Sequence, residues 1–90
     1  MSAALVSRML AAMPLPALFV GDEARIVAAN DAAGHILGHG LVGRHYVTAL
    51  RQPAALEAIE QVLAGKSAAR TRFLGRDGGE ETIYDLRCAA

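Results

Sequence analysis

The apolar and polar positions of the chain fall into blocks with two different periods. From Ser2 to Met13 the apolar residues Leu5, Val6, Met9, Leu10 and Met13 share one arc of a helical wheel, with Ser7 and Arg8 opposite. That spacing predicts an amphipathic helix, closed by Pro14 and Pro16. Ala17 to Ala33 then reads ALFVGDEARIVAANDAA. It holds two short β-favouring runs, Ala17 to Val20 and Arg25 to Ala29, around the turn chemistry of Gly21 to Arg25. The hairpin feeds a helix, because Asn30 is a strong N-cap residue and Asp31 places negative charge in the first turn. This helix runs to Leu37 and stops at Gly38. Gly38 to Arg51 reads as an irregular, glycine-punctuated connection with at most one helical turn, near Tyr46 to Leu50.

Pro53 is a good first helical residue, and Leu56, Ile59, Val62 and Leu63 supply the apolar face of a helix that ends by Gly65. Glu57, Glu60 and Gln61 point the other way. Beyond Ser67 the period becomes two, with strands expected at about Ala68 to Arg76 and Glu81 to Ala89. Thr71 and Phe73 share one face and Arg70 and Arg72 the other. On the return strand Thr82, Tyr84, Leu86 and Cys88 form the inner face, and Ile83, Asp85 and Arg87 the outer one. Two registers are open. A loop covering Asp77 to Glu80 sets Phe73 opposite Tyr84 and Arg72 opposite Asp85. A two-residue Asp-Gly turn sets Thr71 opposite Tyr84 and Arg70 opposite Asp85.

Composition narrows the functional classes. Ninety residues make one domain, with a core that must be thin: 53% of the residues are hydrophobic, yet aromatics are only 4% and Trp is absent. Nine Lys and Arg balance nine Asp and Glu. No global field therefore draws the chain to nucleic acid or to a membrane surface, and neither is expected as a partner. Cys88 is the only cysteine, which rules out an intramolecular disulfide and suits a cytoplasmic setting. The first helix lacks a basic leader region and is cut short by proline, so it is not a targeting signal.

Asn30-Asp31-Ala32-Ala33 after ALFVGDEARIVAAN, then Ile36-Leu37-Gly38, then Leu41-Val42-Gly43-Arg44, resembles the opening of a PAS domain, the sensory module of bacterial histidine kinases. The pattern is most similar to the cytoplasmic PAS domain of phosphate-regulon-type sensor kinases. The resemblance implies an α+β fold: a PAS-like antiparallel sheet flanked by short helices, with an amphipathic helix over residues 1–14 preceding a sensory domain over 15–90. It implies five strands in the order 2-1-5-4-3, of which four are visible, so the domain looks C-terminally truncated. The gap would be filled by pairing of the first and last visible strands, by a segment from a second copy, or by the first helix.

The resemblance also implies function. The chain would be a sensory and dimerisation module regulating a two-component histidine kinase, without catalytic residues of its own. The parent protein would be the kinase and could be anchored in the inner membrane. Alternatives are a stand-alone small-molecule-binding regulator, or a PAS module of another output domain such as a transcription activator or cyclase. A ligand cavity would be lined by Leu37, Leu41, Val42, Tyr46, Phe73 and Tyr84. The first helix docks either on its own domain or on its twin, and in the second case Leu5, Val6, Met9 and Leu10 form a homodimer interface. Asn30 is expected to be a structural cap.

Other chemistry is weakly signalled. His35 and His39 have the spacing of paired ligands on a helix, but Gly38 falls between them and only His45 is near as a third, so no metal site is expected. The Pro53 to Ala64 helix has no histidine for a haem iron, and Cys88 lies in the last strand, away from where light-sensing relatives form a flavin adduct. Haem and flavin are therefore both disfavoured. His45 and Tyr46 could be the polar groups of a small enzyme, but the pair names no reaction. Asp22, Glu23, Asp77 and Glu80 read as turn residues. Arg70, Arg72 and Arg76 read as a solvated face offset by Glu80, Glu81 and Asp85.

Overall fold

The structure, a computed structural model, describes residues 2–90. It is α+β, with two small two-stranded antiparallel sheets and four short helices among the described residues. The chain divides into two compact units, Met1–Ala49 and Leu50–Ala90, so the first helix belongs to the larger first unit.

In the first unit, α1 (Ala3–Ala11) begins at Ser2, whose hydroxyl oxygen accepts the Leu5 N–H at 3.1 Å. The helix lies against β2. Its apolar arc is split. Val6 is buried at 6% exposure and Leu10 is half-buried, while Leu5 and Met9 remain 46% and 53% exposed. Docking on its own unit thus uses the Val6 side of the helix.

Strands β1 (Leu18–Val20) and β2 (Ile26–Ala29) form the first hairpin. Leu18 pairs with Ala29 and Phe19 with Ala28, but Val20 pairs with Ile26, so Val27 is an extra residue that bulges the ladder. The turn is closed by the Gly21 N–H to the Arg25 carbonyl at 2.8 Å. The far side of β2 is covered as well. Ile26 donates to the Arg44 carbonyl and accepts from the Gly43 N–H, both at 2.8 Å, and Arg25 bridges to His45. The glycine-rich segment thus runs as a short third line beside β2. α2 (Asp31–Leu37) and α3 (Tyr46–Leu50) complete the unit, and its buried apolar residues include Ile26, Ala28, Ala33, Leu41 and Tyr46.

In the second unit, α4 (Pro53–Leu63) packs on β3 (Ala68–Asp77), which pairs with β4 (Glu80–Ala89). The face of α4 differs from expectation. Ala55, Ala58 and Ile59 are the buried residues, Leu56 and Val62 are half-buried, and Leu63 is exposed. Small alanines let the helix backbone approach the strand closely, which rotates the larger leucines toward the rim.

The second hairpin takes the register with Phe73 opposite Tyr84 and Arg72 opposite Asp85, unbroken from Ala68↔Ala89 to Asp77↔Glu80. The loop is Gly78–Gly79 alone, with φ of +62° and +89°, shorter than the expected loop over Asp77 to Glu80, since both of those residues join the ladder. A two-residue hairpin turn of this hand needs positive φ at both positions, which two glycines supply without steric cost. Ala69, Phe73 and Gly75 are buried on the inner face, and Arg70, Arg72, Leu74 and Arg76 are exposed on the outer one.

On the free edge of β3 one side chain covers Leu74. Gln52 accepts the Leu74 N–H at 2.9 Å and donates its amide to the Leu74 carbonyl at 2.5 Å, standing in for the peptide of a neighbouring strand. Gln52→Ala removes both bonds and should lower stability by about 1 kcal/mol, read as a shift in urea midpoint at constant slope. An unchanged midpoint would show that the clamp contributes nothing.

Candidate functional site

The densest polar arrangement in the first unit is Asn30, which is 8% exposed. Its Oδ1 accepts the Ala33 N–H at 3.0 Å, which caps α2, and the Ala17 N–H at 3.0 Å, which fixes the start of β1. Its Nδ2 donates to the Leu10 carbonyl at 3.1 Å and the Leu15 carbonyl at 2.7 Å. The amide therefore uses both acceptor sites and both donors. Pro14 and Pro16 have no N–H to offer, so the segment is short of backbone donors and the Leu15 carbonyl meets a side-chain donor instead. Beside it lies a small open depression lined by Ala11, Met13, Ala29, Asp31 and Ala32.

On the outer face of the second unit, Asp85 sits opposite Arg72 in register, but its carboxylate is bound by Arg70, diagonally across the ladder, through Nε at 2.8 Å and through Nη2. The expected Arg72 to Asp85 charge pair is thus displaced by one pleat, because the fork of Arg70 reaches both carboxylate oxygens. Arg87 approaches the same carboxylate at 3.7 Å. Arg70 and Arg87 are direct neighbours in register, and Asp85 offsets their repulsion. Hydrogen bonds from Arg70 hold the Asp85 carboxyl below the usual aspartate range, against partial desolvation and with the charges of Arg70, Arg87 and Arg72 in support. Arg70, Arg72, Ile83, Tyr84 and Asp85 line a shallow groove on this hairpin.

The remaining predicted residues are distributed as follows. Leu37, Leu41, Val42 and Tyr46 belong to the first unit, where Leu41 and Tyr46 are buried, Leu37 is half-buried and Val42 is exposed. Phe73 and Tyr84 belong to the second, where the register sets them side by side. His45 stacks on Tyr46 with ring centroids 5.0 Å apart. Gly38 does end α2, with φ of +93°, yet His35 and His39 still meet edge to face at 6.1 Å. His39 lies over Gly34, where an added Cβ would come within 2.9 Å of the imidazole. Among the described residues no group of three or more His, Cys, Asp or Glu side chains gathers as a metal site would require, and no helix is long and apolar enough to cross a membrane. Cys88 is half-buried, and burial pushes its thiol pKa up.

Sequence reasoning missed the Gln52 clamp, three of the four Asn30 side-chain bonds and the Arg70 to Asp85 fork. For Asn30 a signal did exist in the Pro-x-Pro spacing, which leaves the Leu15 carbonyl short of backbone donors. Comparison with known proteins finds no matching family model, no similar curated protein and no similar solved structure.

Asn30→Ala removes four bonds from a buried position and should cost about 2–3 kcal/mol in chemical denaturation, more than a helix cap alone. Asn30→Asp keeps the acceptors for Ala33 and Ala17 but turns a carboxylate oxygen toward the Leu10 and Leu15 carbonyls, so it should destabilise as well; an Asp variant as stable as the native chain would mean that those two donors contribute nothing. The Arg70 to Asp85 pair predicts a pH dependence. Its contribution is present above the unfolded aspartate pKa and is lost as pH falls through the depressed folded value, so Arg70→Ala should flatten stability in that acid window only. NMR titration of the Asp85 carboxyl checks the sign: an unshifted midpoint in the native chain would contradict it.

Proposed function

We propose that the chain is a cytoplasmic PAS-type sensory and dimerisation module of the kind that regulates a two-component histidine kinase. The observation that carries this reading is a coincidence at Asn30. The residue that opens the Asn-Asp-Ala-Ala stretch of the resemblance is the buried amide that joins the first hairpin to its following helix. The element order adds support, with a flanking helix, a hairpin, three short helices and a longer hairpin in succession. On this reading α1 is the flanking helix, and its exposed residues Leu5 and Met9 meet a second copy while Val6 and Leu10 dock inward. The chain acts by binding and self-association, and catalysis belongs to an output domain.

Native mass spectrometry of the chain reads subunit number and retained ligand together. A dimer without haem or flavin is expected, and Leu5→Glu with Met9→Glu should weaken that association by about tenfold, the effect of roughly 1.4 kcal/mol. A strictly monomeric chain that retains no small molecule would refute the reading.

A further inference from the structure

Gly38 ends α2 without separating the two histidines on either side of it. His35 lies in the last turn of the helix and His39 just beyond its end, and the chain turns at Gly38, with φ of +93°, so that the second ring comes back toward the first. The imidazoles meet edge to face, with centroids 6.1 Å apart and planes at 74°. Both residues are exposed. Their ring contact is with each other, and neither ring takes part in a hydrogen bond or an ion pair among the described residues.

A missing side chain sets the position of His39. Gly34 is buried, and a Cβ there would stand 2.9 Å from Nδ1 and 3.1 Å from Cε1 of His39. The ring therefore rests on bare helix backbone, an approach that only glycine allows. Its Nδ1–Cε1 edge faces the helix, which turns Nε2 outward. Glycine inside a helix costs about 1 kcal/mol relative to alanine. Gly34 is not among the residues with positive φ, so the space it leaves for His39 is what it contributes here.

We propose that His35 and His39 form a two-imidazole chelate for a divalent cation of the zinc class, an open site on the surface of the first unit. Neutral imidazole nitrogen is a favoured zinc ligand at about 2.0–2.1 Å, and two rings on one tetrahedral ion hold their centroids about 5 Å apart. The pair has to close by about 1 Å, which rotation of two exposed side chains supplies. Magnesium and calcium take oxygen ligands, and among the described residues no carboxylate joins this pair to make a group of three. Two imidazoles leave a tetrahedral shell half filled. The other positions fall to water or to the same pair on a second copy, whose approach meets only the exposed, side-chain-free Gly38 and Gly40 beside the rings. The chelate does not depend on the PAS reading.

The test is a titration of zinc chloride into the untagged Cys88→Ser chain, in which the thiol no longer competes as a ligand, followed by imidazole NMR signals and by calorimetry. The His35 and His39 signals should move together and saturate, while those of His45, whose ring stacks on Tyr46, stay in place. His35→Ala and His39→Ala should each weaken binding by about tenfold or more. Gly34→Ala keeps both histidines but puts a methyl group where the His39 ring rests, and it too should weaken binding by about tenfold, an effect that two unrelated surface histidines would not show. Sedimentation in the Leu5→Glu, Met9→Glu background, where association through α1 does not contribute, assigns the outer ligands. One ion per monomer gives water, one ion per dimer gives the second copy's pair, and either result supports the chelate. Three histidines that respond alike, a His35 and His39 pair that ignores excess zinc, or an affinity unchanged by Gly34→Ala overturns it.

Discussion

The first unit depends on one carboxamide. Asn30 bonds to Leu10 at the end of α1, to Leu15 between the two prolines, to Ala17 at the entry to β1 and to Ala33 in the first turn of α2. The unit offers few large buried side chains, with Ile26 the largest that is fully enclosed, so apolar packing alone gives weak orientation. A fully satisfied buried amide is directional where small apolar residues are not, and it fixes where the helix ends and where the strand begins. The linking segment between α1 and β1 can therefore be proline-rich and still run along one path.

Strand edges set the second constraint. A two-stranded sheet is marginal alone and leaves polar backbone groups on both sides. In the first unit the segment from Gly43 to Tyr46 takes over the outward groups of Ile26 and Ala24. In the second the side chain of Gln52 does the same for Leu74 at the cost of one residue. Alanine on the buried face of α4 belongs to the same economy, since a helix that lies close to β3 can place Gln52 within reach of its edge.

What was legible in the sequence follows from how local the cause is. Period two in residues 68–89 is a local signal, and it gave the strands and their faces, while both registers stayed open and the loop came out shorter than expected because Asp77 and Glu80 also pair. Asn30 as a cap was legible for the same reason, because Ala33 is three residues away. Its bonds to Leu10, Leu15 and Ala17 span 13 to 20 residues, and no periodicity encodes them. The wheel of α4 gave Leu56, Ile59, Val62 and Leu63 as its apolar face, whereas the structure buries Ile59 together with Ala55 and Ala58 and leaves Leu63 exposed. Arg70 rather than Arg72 binds Asp85 because reach across the pleat outranks direct opposition for a long forked side chain.

The claim that a single amide couples α1, β1 and α2 is tested most directly by native-state hydrogen exchange. The Ala17 and Ala33 amides both donate to Asn30 Oδ1, one from a strand entry and one from a helix start. If that oxygen is the shared anchor, the two amides open together, with the same free energy and the same denaturant dependence. Protection of Ala33 alongside loop-like exchange at Ala17 would contradict the account.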